Sequence, residues 1–175
     1  MPTGCAAWCD GVRPVPEKPL EGQESVWDYP RPPRLEAFAG LLTVELGGEV
    51  IASAERGWRV LETSHPPTYY LPRSAFRPDA LRAAPGGSWC EFKGRARYFD
   101  LVSTAKTARK AAWNYPDPAP GFEAISDAIA VMAGLVDRCT VNGETVVPQA
   151  GGFYGGWITS TVAGPFKGGP GTHGW

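Results

Sequence analysis

Three observations predict a mainly β fold. Gly (22) and Pro (18) make up nearly a quarter of the chain, yet they punctuate short runs of Trp, Tyr and apolar residues instead of forming low-complexity tracts. Two dipeptides, Gly47-Gly48 and Asn142-Gly143, sit between apolar segments and carry the local signature of a two-residue hairpin loop. A Trp-Asp/Asn-Tyr-Pro-x-Pro hexad occurs at Trp27–Pro32 and again at Trp113–Pro118. Each copy is followed by Glu-Ala (Glu36-Ala37, Glu123-Ala124) and, eight residues after the Glu, by Val44 or Val131. The echo reads as two related β-rich halves, each led in by a rigid aromatic–proline segment.

Taken in order, residues 1 to about 24 read as a proline-containing arm, ordered only in part. Pro30, Pro32 and Pro33 hold the next stretch extended, since each ring fixes its own φ and restricts the residue before it. Leu41–Leu46 and Glu49–Ser53 form a hairpin around Gly47-Gly48. Gly57–Thr63 is a further strand with Trp58, Val60 and Glu62 on one face and Arg59, Leu61 and Thr63 on the other. Thr68–Leu71 is a short strand stopped by Pro72, Arg73–Arg82 holds a turn of helix, and Pro85-Gly86-Gly87 is a loop. Trp89–Lys93 and Arg95–Leu101 are strands meeting at Gly94. Thr107–Tyr115 is a strand, Phe122–Asp127 a helical turn, and Ala128–Met132 a strand. Arg138–Val141 pairs with Glu144–Val147 through Asn142-Gly143. Residues 25–150 therefore make the domain. Residues 151–175 make a Gly–aromatic strap whose rings, from Phe153 to Trp175, need a core or a neighbouring subunit to dock on.

Length and charge bound the function. A chain of 175 residues supports one domain that buries about 70% of its unfolded surface. A net charge of −1 argues against a duplex nucleic-acid binder, which needs a basic face. The first ten residues lack the basic and apolar regions of a signal peptide, and no apolar run is long enough to span a bilayer. The expectation is a cytoplasmic protein with reduced cysteines and no membrane partner.

Metal and nucleophile chemistry find little support. Cys5 and Cys9 are spaced C-x3-C in the arm, while Cys90 and Cys139 stand alone, so neither a structural zinc site nor any other cofactor is expected. Cys90 as a nucleophile needs a base or cation; His65 is the histidine outside the tail, and no Gly-x-Ser-x-Gly elbow offers a serine instead. The Gly-rich tail is no phosphate loop, because nothing after Gly168-Gly169 reads as a helix, and Lys167 reads as a solvated charge. What remains is polar groups beside rings. Glu62-Thr63-Ser64-His65 leads into Tyr69-Tyr70, Trp89-Cys90-Glu91-Phe92-Lys93 leads into Tyr98, and Trp113-Asn114-Tyr115 closes the series. Such sets suit a small planar or polar ligand. The alternative is that the rings fill the core while Glu62, Arg59 and Lys93 are surface or paired charges.

The blocks Glu24–Pro33, Glu62–Pro72, Trp89–Tyr98, Ala111–Pro116 and the tail Gly151–Thr159 resemble the long form of the bacterial domain-of-unknown-function family 427, over about residues 17 to 175. The resemblance implies a β-tent-like fold: two antiparallel sheets meeting at an angle over a cavity, as in the thalidomide-binding domain of cereblon, methionine sulfoxide reductase B and the Yippee proteins. Many such tents are pinned by four zinc-binding cysteines. This sequence lacks the two Cys pairs, so apolar packing has to close the apex. The family's nucleotidyltransferase-like label does not carry over, because no Gly-Ser plus paired-Asp motif is present.

The expected activity is binding of a small polar, nucleobase-like or cyclic-amide ligand by Glu62, Thr63, Ser64, Tyr70, Trp89, Cys90, Lys93 and Trp113. Two other readings stand beside it. One is an enzyme using Cys90 and Glu62 in the same pocket. The other is a structural role in which the tail straps one subunit of a homo-oligomer to the next.

Overall fold

Gly47 and Gly48 both adopt positive φ, 62° and 79°, which a two-residue hairpin requires and glycine supplies without strain. Around them the computed structural model, which describes residues 13–175, builds its longest strands. The strands are β1 (Glu24–Ser25), β2 (Arg34–Leu46), β3 (Glu49–Leu61), β4 (Thr68–Pro72), β5 (Leu81–Cys90), β6 (Gly94–Val102) and β7 (Thr107–Asn114). They continue with β8 (Ala128–Val131), β9 (Arg138–Val141), β10 (Glu144–Thr145), β11 (Val147–Pro148), β12 (Trp157–Ile158) and β13 (Val162–Ala163). Helical structure among the described residues is limited to 3-10 turns at Val26–Asp28, Arg73–Ala75, Glu123–Ile125 and Ala133–Leu135.

The fold is mainly β and its large sheet is antiparallel throughout. Hydrogen bonding runs unbroken through nine strands in the order β10-β9-β2-β3-β4-β8-β7-β6-β5, with two small sheets beside it, β1-β13 and β11-β12. The strand order departs from the chain order at two places: β9 lies beside β2, and β8 inserts between β4 and β7.

The centre of the sheet is covered on both faces, and the two-residue side-chain period sorts its residues. Tyr69, Leu71, Ile129 and Val131 join Leu42, Val44 and Ile51 in the main core. Tyr70, Ala128 and Ala130 point the other way, into a second cluster with Val60, Tyr115 and Ile125. All four residues of β8 are buried, as expected of a strand packed on both sides. On the second face the registers line up one cross-strand row, Trp58–Tyr70–Ala130–Trp113–Tyr98–Ala84. Ala130, the small member, separates Tyr70 from Trp113.

Several local expectations are corrected. Gly57–Thr63 is not a separate strand, because it continues Glu49–Ser53 as β3 and ends at Leu61. Pro85-Gly86-Gly87 lies inside β5 rather than in a loop. β5 is the sheet's edge strand, so the missing Pro85 N–H costs no ladder bond, and the chain bulges between Ala84 and Gly87 with Gly86 at φ 90°. The strand expected over Trp89–Lys93 stops at Cys90, and Glu91–Lys93 form the turn. Only Arg73–Ala75 of the Arg73–Arg82 segment is helical. The Asn142-Gly143 hairpin forms with φ 50° and 83°, but β10 ends at Thr145 and Val147–Pro148 pairs with the tail instead. The two hexads take different local structure: Trp27 sits in a 3-10 turn and Trp113 on β7. They share a buried Tyr before the Pro, Tyr29 and Tyr115.

The N-terminal segment and the tail hold each other. β1 runs parallel to β13, Glu17 N–H donates to Gly164 O at 2.9 Å, and the Trp27 indole N–H donates to Pro165 O at 2.9 Å. Trp175 packs on Trp27 with ring centroids 5.7 Å apart. Arg59 of β3 donates to both Glu24 carboxylate oxygens at 2.8 Å and also to Glu36, which ties β1 to the large sheet. That pairing holds the Glu24 carboxyl below its ordinary pKa. Trp157 is fully buried in the main core, tilted on Tyr69 at 5.3 Å, and its indole N–H donates to Val131 O at 2.9 Å. Cys5 and Cys9 lie outside the described residues. No helix among the described residues is long and apolar enough to cross a membrane.

Candidate functional site

Tyr70, Trp113 and Tyr98 of the aromatic row line a cleft of about 580 Å³. That volume falls within the range of small-molecule pockets, about 300–1,000 Å³. Six of the sequence-predicted residues line it: Glu62, Tyr70, Trp89, Cys90, Lys93 and Trp113. Thr63 and Ser64 do not. β3 ends at Leu61, so strand alternation is lost before them. Ser64 is buried at φ 68°; its N–H donates to Val26 O at 3.0 Å and its carbonyl accepts from Lys167 N–H at 2.8 Å. These bonds make Ser64 a brace between the N-terminal turn and the tail. A larger opening of about 860 Å³ lies beside Arg73, Arg97 and Asn114, and none of the predicted residues line it.

The floor of the cleft is phenolic. Tyr70 is fully buried, its hydroxyl has no hydrogen-bond partner, and burial pushes its pKa well up. Tyr115 is likewise shifted up, by burial first and then by Cys90, whose thiol sits beside its hydroxyl. The Trp113 indole lies between these phenols and favours the ionised form of each, although its approach to the Tyr70 hydroxyl lacks hydrogen-bond geometry. A buried hydroxyl without a partner costs about 1–3 kcal/mol, so the Tyr70 hydroxyl is an unmet hydrogen-bonding group at the base of a cavity. Trp89, expected in the wall, stands at the rim with 76% of its surface exposed, opposite Phe153 at 78%.

The strap forms one wall, and each residue from Tyr154 to Trp157 has its own reason to be there. Tyr154 meets the His65 ring edge-on, with centroids 4.6 Å apart. A β-carbon on Gly155 would overlap the Trp113 ring, and one on Gly156 would crowd Gln149 and Pro66. Trp157 then enters the main core.

His65 is held neutral by geometry as well as by burial. The Gln149 side-chain oxygen accepts from Gly156 N–H at 3.0 Å, which fixes the amide orientation. Its nitrogen then donates to Lys167 O at 2.7 Å and faces His65 Nδ1 at 3.0 Å. Nδ1 must accept, so the ring proton sits on Nε2. Burial lowers the His65 pKa to about 4, helped by the charges of Lys167, Arg31 and Lys93.

Charge around the cleft is mostly positive. Glu62 is engaged by Arg31 at 3.1 Å, which leaves Lys93, Lys110 and Lys167 facing Glu91. Lys167 is not the solvated charge expected from sequence. It is half-buried, its ammonium donates to Trp175 O at 3.0 Å, and burial together with Arg31 lowers its pKa. Sequence reasoning also passed over Arg31, Lys110, Gln149 and Tyr154 as lining residues. A polar residue beside an aromatic one, Lys167 after Phe166, could have been flagged, but no such pattern reports Tyr154, Arg31 or Gln149. Among the described residues no group of three or more His, Cys, Asp and Glu is arranged to hold a metal ion.

No curated protein matches the chain. A profile of one family matches residues 34–142, which takes in β2 through β9 and therefore the whole aromatic row. On that match the chain belongs to the family described as Domain of unknown function (DUF427).

Proposed function

We propose that the cleft binds a small planar ligand with polar edges, of the nucleobase or cyclic-amide kind. The observation that carries this reading is the unpartnered Tyr70 hydroxyl at the base of an aromatic-walled cavity of ligand size. Flat rings favour flat ligands through stacking and edge contacts, and a few fixed polar groups give orientation. In this reading Trp113 and Tyr115 wall the ring, Lys93 adds a charge-assisted bond, and the Tyr70 hydroxyl, buried beneath the lining, gains its partner as the lining yields to the ligand. Glu62 acts through Arg31, which already holds its carboxylate. Trp89 and Phe153 close over the ligand from the rim.

The test is a thermal-shift screen with adenine, uracil, adenosine and glutarimide. A ligand at 100 times its Kd adds about 2.7 kcal/mol, a shift of roughly 5–10 °C for a domain of this size. The shift should disappear in Trp113→Leu. A screen in which no compound moves the transition would sink the reading.

A further inference from the structure

We propose that the ligand of this cleft carries an anionic group, a carboxylate or a phosphate, seated between Lys93 and Lys167 beside His65. This deepens the binding function proposed above and rests on it.

Three lysines line the cleft, and each is set against a tyrosine that lines it too. Lys93 Nζ stands 5.6 Å from the Tyr115 ring centroid, Lys110 Nζ 6.0 Å from Tyr98, and Lys167 Nζ 5.8 Å from Tyr154. A ring face steadies an ammonium without neutralising it, because the attraction is to a quadrupole and not to a charge. No Asp or Glu side chain pairs with any of the three among the described residues, although the Lys167 ammonium also donates to Trp175 O at 3.0 Å. By contrast, Lys106, in the turn between β6 and β7, pairs with Asp137 at 2.8 Å. The acidic groups at the cleft are Glu62, engaged by Arg31, and Glu91. An excess of positive charge inside a low-dielectric hollow concentrates anions.

His65 sits within this field and reports it. Arg31, Lys93 and Lys167 all oppose its protonation, in addition to burial. With Nδ1 committed to Gln149, its Nε2–H is a neutral donor beside the cationic groups. Tyr70, with its unpartnered hydroxyl, lines the same cavity. The cleft thus offers two kinds of contact, aromatic rings and the ammonium groups set against them. A flat ring bearing an acid satisfies both. A neutral ring satisfies the first and leaves the lysines hydrated.

The experiment titrates the full chain with two matched pairs of probes by calorimetry at about 50 mM salt: benzoate against benzamide, and adenosine 5′-monophosphate against adenosine. The expected result is that at least one acid binds about tenfold or more tighter than its neutral partner, an advantage worth about one charge-assisted contact. That advantage should shrink several-fold between 50 and 300 mM salt. It should fall in Lys93→Gln and in Lys167→Gln but persist in Lys106→Gln. The carboxylate arm and the phosphate arm tell which acid is preferred. Neutral members binding as well as the acids, or an acid advantage unmoved by salt, would overturn the anion inference and leave the cleft reading standing. Binding by none of the four probes would overturn both. The salt series uses the unaltered protein, so the outcome does not depend on whether the variants fold.

Discussion

The backbone of Gly155 comes so close to the edge of the Trp113 indole that a β-carbon at residue 155 would overlap the ring. The strap and the aromatic row are therefore one packing unit, although 41 residues of sequence separate their contact points.

Gly155→Ala should be destabilising. The added methyl has to push Trp113 or the strap aside, an overpacking cost of about 1–3 kcal/mol. Thermal unfolding should drop by roughly 2–10 °C, with a change in tryptophan emission. An unchanged transition would mean that the strap yields freely and does not brace the row.

Tyr70→Phe should leave the free protein as stable as before, or more stable by up to about 1 kcal/mol, because it removes a buried hydroxyl without a partner. The same change should weaken ligand binding. Urea unfolding decides the first part: a loss above about 1 kcal/mol would show that the hydroxyl is hydrogen-bonded, with Trp113 the nearest donor.

His65 should make stability depend on pH between its ordinary pKa of 6.5 and its folded value of about 4. Above pH 6.5 the ring is neutral in both states and contributes no pH dependence. As pH falls through this window the unfolded chain takes up a proton that the folded chain refuses, so stability declines, by about 3 kcal/mol in all. Below pH 4 both states are protonated and the decline stops. His65→Asn should flatten the curve in this window, read by urea unfolding at pH 7, 5.5 and 4. A proton resonance assigned to His65 and titrating near 6.5 in the folded protein would contradict its lowered pKa.

The described cysteines should separate cleanly in alkylation. Cys139 is buried, and burial with the nearby Glu45 charge pushes its thiol up to about 12, so iodoacetamide at pH 8 should leave it unmodified in the folded protein. Cys90 is half-exposed in the cleft and should react, and a bound ligand should protect it. Reaction at Cys90 no faster than a free thiol would count against the enzyme reading. Peptide mapping by mass spectrometry assigns the sites.

How much of this was legible in the sequence depended on range. Gly47-Gly48 and Asn142-Gly143 were readable because positive φ is a local demand that few residues meet. Pro85-Gly86-Gly87 was misread as a loop because composition does not tell an edge strand from a break, and only the edge position of β5 makes proline harmless there. Tyr70, Cys90 and Trp113 were legible as ring-plus-polar strand residues that line the cleft. Their alignment in one row was not, because it needs β8 between β4 and β7, a pairing between strands far apart in the chain. Lys167 was misjudged for the same reason. Its neighbours Arg31, Tyr154 and His65 come from three separate segments.

The pairing of β1 with β13 also sets an order of events during synthesis. Trp27 cannot reach its acceptor on Pro165, 138 residues further along, until that residue has left the ribosome. At about 5–20 residues per second, the N-terminal segment waits on the order of ten seconds with Val26 and Trp27 uncovered. A segment that emerges before the rest of the fold is thus among the last to be sheltered, and in that interval a holding chaperone would find its apolar target.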